Sequence, residues 1–231
     1  MSRSSQALQK ASTETAPSTR PGGTSALLKL PVSPSMPASM ARGYALQRIC
    51  EELSPLAVID NNLRLLVTGC RPGDGASTVA AALALDLSQR LLLRTLLIDA
   101  NSRRPTLHTI LVRSNSEVGE LALDGPMQIR STGWQHLDLA TCFFGSTDNE
   151  RREVVARCDE VSRQYAAVVV DLGVVRLDAR MLPLARETDP IVLIVRHGHT
   201  RRQELATTVT ALRAARRSIA GAILNGVTPR K

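Results

Sequence analysis

A chain of 231 residues with 43% hydrophobic content can bury one domain-sized core and carry a tail. Its formal net charge of +8 rests almost wholly on arginine, because Lys10, Lys29 and Lys231 are the only lysines. Aromatic residues make up 2% of the chain, which argues against a single-strand nucleic-acid surface built on base stacking. No apolar run reaches the ~18 residues of a membrane span and no signal-peptide core is present, so a cytoplasmic location is expected.

Residues 1–39 are rich in Ser, Thr, Pro, Gly and Ala and show no sustained periodicity. Such a segment cannot bury enough apolar surface to offset its ordering entropy, and it reads as a disordered arm ahead of a folded domain at 40–231. A targeting peptide is the rival reading, disfavoured by the lack of an Arg-rich amphipathic helix. Met40–Leu53 has helical spacing, with Tyr44, Ile49 and Leu53 on one stripe. Leu63–Thr68 is a short apolar run opening on a Gly/Pro turn and predicts a buried strand. Ser77–Leu92 predicts a helix with Val79, Leu83 and Leu87 on one face, followed by strands at Arg94–Ala100 and His136–Cys142. Ser114–Trp134 carries no readable pattern.

Thr147 and Glu150 form a T-x-x-E capping box that opens a helix lined by Val154, Cys158, Val161 and Tyr165. Ala166–Asp171 is an apolar strand ending in a carboxylate. Asp178–Arg186 reads as a helix with Pro183 an awkward member, and Ile191–Arg196 as a strand. Glu204–Ala215 reads as a helix with Leu205, Val209 and Leu212 inward, and Ile219–Leu224 as the last strand. Strands that alternate with helices and run continuously apolar predict an α/β fold: a mostly parallel sheet with helices on both faces, a P-loop NTPase-like three-layer sandwich.

Ligands of such sheets sit at the carboxyl ends of strands, and three segments end there. The first is Gly69-Cys70-Arg71-Pro72-Gly73-Asp74-Gly75-Ala76-Ser77-Thr78, which has the layout of a phosphate-binding loop with Ala76 where the lysine belongs. Gly69 also falls one residue early, which leaves Cys70 at the first glycine position. Loop amides and a helix N-terminus attract anions without a lysine, and Ser77 matches the hydroxyl that ligates Mg²⁺, with Thr78 able to touch a phosphate. Taken alone, the loop is equally well read as a turn with no ligand. The second and third segments end at Asp99 and Asp171. An aspartate closing a buried strand is costly unless it meets a cation or donors. Either one singly reads as a helix cap or loop anchor, whereas both together beside the loop suit Mg²⁺-nucleotide.

With these residues in view, the chain resembles the cytoplasmic ATPase domain of the bacterial tyrosine kinases that serve capsule and exopolysaccharide assembly, within the MinD- and ParA-like P-loop group. The resemblance rests on Pro72–Thr78, on LLIDANSRRPTLH at Leu96–His108, on VVVD at Val168–Asp171 and on GAILNGV at Gly221–Val227. It implies a nucleotide site formed by Arg71, Gly73, Asp74, Gly75, Ala76, Ser77, Thr78 and Asn225, with Asn225 at the adenine. It implies Mg²⁺ held by Ser77, Asp99 and Asp171, with Asp99 and Asp171 the catalytic carboxylates, and Arg103 as the motif arginine. Arg71 lies near the place where partition-type relatives carry a second lysine.

The departures run toward lost chemistry. Ala76 removes a cation, Asn101 replaces the second acid of a D-x-D pair, and Leu172-Gly173-Val174 replaces Thr-Pro-Pro. Tyr44 and Tyr165 are the only tyrosines, against the tyrosine-rich tail of the family. The expectation is a degenerate, tyrosine-kinase-like regulatory protein, a pseudo-enzyme with weak or absent ATP/ADP and Mg²⁺ binding. Its expected partner is a membrane-anchored polysaccharide co-polymerase (chain-length) protein, which would bring it to the inner face of the membrane. A homo-oligomer is compatible with this. The alternatives are an active ATPase or tyrosine kinase using Arg71, and a ParA- or MinD-type positioning ATPase. The basic residues Arg201, Arg202, Arg213, Arg216, Arg217, Arg230 and Lys231 read as a solvated face rather than a DNA surface.

The remaining side chains carry little. Cys50, Cys70, Cys142 and Cys158 lack metal-ligand spacing and read as free thiols. His197 and His199 read as exposed loop histidines.

Overall fold

The computed structural model describes Glu51 and residues 63–101, 104–111, 120–121, 127–175, 179–185 and 189–226. The arm at 1–39, most of the helix expected at Met40–Leu53, and Arg103 lie outside the described residues.

In chain order the elements are β1 (Leu63–Gly69), α1 (Ala76–Gln89), β2 (Thr95–Asp99), α2 (Leu107–Leu111), β3 (Glu120–Leu121), β4 (Met127–Ser131) and β5 (Leu137–Cys142). They continue with α3 (Asp148–Ser162), β6 (Ala167–Asp171), a 3₁₀ turn (Ala179–Leu184), β7 (Ile191–Arg196), α4 (Arg202–Ala214) and β8 (Ile219–Asn225). Among the described residues one sheet of eight strands runs β3-β4-β5-β2-β6-β1-β7-β8. The six strands from β5 to β8 pair in parallel, and β4 and β3 add antiparallel at one edge.

The two faces of the sheet divide the apolar residues by alternation, because successive strand side chains point to opposite sides. Leu65, Val67, Leu97 and Val169 face Val79, Leu83 and Leu87 of α1 and Leu107 of α2. Leu66, Ile98, Val168 and Val170 face Val154, Cys158 and Val161 of α3, Met181 of the 3₁₀ turn and Leu212 of α4. The three-layer sandwich expected from the pattern is therefore present, with helices on both faces. On α4, Leu212 is buried, while Leu205 and Val209 are only partly covered. Cys142 and Cys158 meet across the strand–helix boundary with their sulfurs 3.4 Å apart.

Two local expectations are refined. The described part of the helix expected at Asp178–Arg186 is a 3₁₀ turn over Ala179–Leu184, and Pro183 lies inside it; proline lacks the N–H and clashes with continued α-helix. The unreadable stretch Ser114–Trp134 holds β3 and β4. The capping box is formed as expected. Thr147 Oγ1 accepts from the Glu150 amide at 3.2 Å, and the Glu150 carboxylate accepts from the Thr147 amide at 2.9 Å.

Among the described residues Arg64 is the one buried arginine, 4% exposed on β1. Its guanidinium meets Asp159 at 2.5 Å and Asp189 at 3.3 Å and donates to the Leu184 carbonyl at 2.7 Å. These contacts tie β1 to α3 and to the segments flanking β7. Removing one partner of such a group strands the other's buried charge, so Arg64→Met should destabilise the domain by about 3 kcal/mol in urea unfolding. A loss under about 1 kcal/mol would show the contacts to be incidental.

Candidate functional site

The strand order places β2, β6 and β1 side by side, so the three sequence-predicted segments leave neighbouring strand ends. Asp99 and Asp171 are direct register partners, and Val67 opposes Asp171 on its other side. The chain after β6 is stapled to β1. Leu172 donates to the Val67 carbonyl at 2.9 Å, and Gly69 donates to the Gly173 carbonyl at 2.8 Å. The Thr68 hydroxyl donates to that same carbonyl at 3.0 Å and accepts from Val175 at 3.2 Å.

Asp171 is fully buried, and its two oxygens differ. One accepts from the Gly173 amide at 2.9 Å. The other, Oδ2, has no hydrogen-bond partner among the described residues. Burial pushes the Asp171 carboxyl up to about 6, while the Ser77 hydroxyl and the Gly173 amide pull it back and the nearby Asp99 charge adds to the rise. Asp99 is 2% exposed and accepts amides from Asn101 at 3.2 Å and Leu107 at 3.1 Å. Burial raises its pKa against those amides, which lower it. Asp99 thus anchors the start of α2 while also facing Asp171.

The loop after β1 turns on Gly73 (φ 90°) and Gly75 (φ 93°), in the left-handed region that favours glycine. Gly75 is the residue just before α1, and no side chain caps that helix or places an acid in its first turn. Ser77 lies in this first turn with its hydroxyl beside Asp171, and Thr78 is exposed. Ala76 is 8% exposed, and a methyl group stands where a loop lysine would begin.

Three predicted side chains bond within the protein. Asp74 is buried and braces the loop from within: Oδ2 accepts from Cys70 at 3.0 Å and Arg71 at 2.8 Å, and Oδ1 accepts from the Thr200 hydroxyl at 2.7 Å. Arg71 donates to the His199 carbonyl at 3.3 Å and sits 3.9 Å from Glu204. Asn225 donates to the Asp74 carbonyl at 2.8 Å. Two of the departures from the family pattern also touch. Gly173 has φ 59°, and a Cβ there would lie 2.7 Å from Asn101 Cγ.

Arg196 and Thr200 carry no site motif in the sequence, and His199 is expected there as an exposed loop histidine. All three reach the loop. Arg196 donates to the Gly73 carbonyl at 3.0 Å, and the His199 ring lies 3.0 Å from the Pro72 carbonyl. The only sequence signal was that their segment leaves the end of a parallel strand, where ligand sites collect.

No family model matches the chain. The tyrosine-protein kinase YwqD of Bacillus subtilis is 28% identical over 181 residues, 74% of this chain and 75% of that protein. The kinase domain of the Escherichia coli tyrosine kinase ETK matches with a TM-score of 0.58 and 26% identity, over 74% of this chain and 69% of that one. The BceF tyrosine kinase domain matches at 0.59 and 25% identity, over 79% and 76%. The septum site-determining protein MinD of Pyrococcus horikoshii, solved with Mg-ADP, shares the fold at 0.52 and 17% identity, over 71% and 69%.

The sheet order and the loop therefore define a P-loop NTPase-like α/β fold, the fold also seen in solved ParA and MinD structures. In sequence and fold the chain is similar to bacterial tyrosine kinases. Among the described residues, no helix is long and apolar enough to cross a membrane.

Proposed function

We propose that this chain is a degenerate, tyrosine-kinase-like regulatory protein of capsular or exopolysaccharide assembly. It docks on a membrane-anchored chain-length partner at the inner face of the membrane and has lost efficient phosphoryl transfer. The observation that carries this reading is Ala76, a buried methyl at the position of the phosphate-gripping lysine. Phosphoryl transfer depends on positioning and charge stabilisation rather than covalent chemistry by the protein. Loss of one preorganised contact of that kind typically costs about 2.7–4 kcal/mol, or roughly 10²–10³ in rate.

The residues present still suit Mg²⁺ and a nucleotide in part. Ser77 and Asp171, with Asp99 behind them, would hold the cation, which would neutralise phosphate charge when bound. The loop amides would take the phosphates, and the partnerless Asp171 oxygen is the feature that fits a cation best.

The rival reading, an active kinase in which Arg71 replaces the lysine, is weakened by the engagement of Arg71 with His199 and Glu204. A guanidinium held there does not stand in for a mobile ammonium. Tyr165 is also a poor phosphate acceptor: it is 5% exposed and its hydroxyl donates to Asp138 at 2.9 Å.

The test is to incubate the purified chain with Mg-ATP and read phosphotyrosine by mass spectrometry. No modification is expected, and Arg71→Ala should change nothing. Robust Mg²⁺-dependent autophosphorylation that disappears in Arg71→Ala would replace this reading with the active-kinase one. Strong, salt-sensitive DNA binding would favour a positioning ATPase instead.

A further inference from the structure

Three consecutive carbonyls of the loop are each held by a side chain from distant sequence. His199 Nε2 meets the Pro72 carbonyl at 3.0 Å, Arg196 Nη1 meets that of Gly73 at 3.0 Å, and Asn225 Nδ2 meets that of Asp74 at 2.8 Å. In a trans peptide the N–H points opposite to the preceding C=O. Each held carbonyl therefore turns the amide that follows it, of Gly73, Asp74 and Gly75 in turn, away from the side chain that holds it.

The Asp74 amide closes the turn onto the Arg71 carbonyl at 3.2 Å. The amides of Gly73 and Gly75 have no acceptor among the described residues, nor do those of Ala76, Ser77 and Thr78 in the uncapped first turn of α1, where Val79 is the first to bond back, to the Gly75 carbonyl at 3.0 Å. A second, independent feature lies at the same place: Asp171, fully buried beside Ser77, presents an oxygen with no partner. Free amides paired with a partnerless carboxylate oxygen suit an anion that arrives with a divalent cation.

We propose that His199, Arg196 and Asn225 are positioning residues that set a lysine-free cradle of backbone amides for the diphosphate group of a nucleotide. They act on the carbonyl side of the loop and hold its peptide planes in one orientation. Cradle affinity is then independent of the base. The inference rests on the P-loop reading above, but it does not need the regulatory role.

Calorimetric titration of the full chain with Mg-pyrophosphate and with Mg-ADP tests it, because pyrophosphate has no base to contact. Both ligands should bind. A hydrogen bond contributes about 1 kcal/mol, so Asn225→Ala and His199→Ala should each weaken both ligands by about fivefold, and by the same factor for each ligand. His199→Gln keeps an N–H donor close to the place of Nε2 and should restore affinity to within about twofold of the parent. Thermal unfolding of every variant reports whether it is folded.

Three results would overturn the proposal: Asn225→Ala weakening ADP but not pyrophosphate, His199→Gln binding no better than His199→Ala, or a parent chain that binds neither ligand at millimolar concentration. The last result would leave the regulatory role standing, whereas autophosphorylation in the assay above would remove that role and leave the cradle intact.

Discussion

Ala76→Lys will tighten Mg-ATP binding by roughly tenfold to a hundredfold, the worth of one hydrogen bond to a charged group at about 1.5–3 kcal/mol. Position 76 is the first residue of α1, so a side chain there leaves the helix at the uncapped N-terminus, which attracts anions. No acid stands in the first turn to capture the new ammonium. The carboxylate of Asp74 is already committed to the Cys70 and Arg71 amides and the Thr200 hydroxyl. A loop lysine reaches the β- and γ-phosphates, so the gain for ATP should exceed the gain for ADP. Titration of parent and variant with both nucleotides measures this. Equal, unchanged affinities would show that a side chain at position 76 does not reach bound phosphates.

Asp171→Asn is expected to stabilise the unliganded domain at pH 7 by about 2–3 kcal/mol, the worth of holding a buried carboxyl near 6 rather than near its ordinary value. The sign follows from proton counting. Between about pH 4 and pH 6 the folded state keeps a proton that the unfolded state has released. The contribution of Asp171 to stability is therefore most favourable at low pH and declines as pH rises through that window. The asparagine variant carries no such dependence. Its advantage over the parent should be small near pH 4 and full by about pH 7. Urea unfolding of both proteins at the two ends of that range checks it, and an advantage that does not change with pH would refute the argument. Mg²⁺ with nucleotide should stabilise the parent and not the variant, because the Asp171 oxygen with no partner among the described residues is the one available to a cation. A side chain that destabilises the free fold and serves a ligand is a common compromise at functional sites.

The reach of the sequence ended where contacts became non-local. Asp99 and Asp171 were recognisable as strand-end carboxylates because each closes an apolar run, and the sheet makes them register partners. The capping box at Thr147 was readable because its two hydrogen bonds span three residues. For Asp74 the sequence suggests a nucleotide contact but not a brace of the loop. Its spacing in the loop is that of a binding residue, and only the fold reveals that its carboxylate turns back onto the Cys70 and Arg71 amides. Strand β4 escaped notice because MQIRS is short and buries one face at an antiparallel edge, with Gln128 exposed between Met127 and Ile129.

Composition and periodicity alone were enough to determine the class of fold, the helix and strand order of the parallel core, and a phosphate-type loop without its cation. Those properties are local, written in apolar spacing and glycine placement. The bracing of that loop by His199, Arg196, Thr200 and Asn225 was decided only by the tertiary structure, because these residues lie more than 120 positions from the groups they hold. Parallel pairing of β1 with β7 and of β7 with β8 brings their ends to the loop, and nothing in a short stretch of sequence records which strands become neighbours.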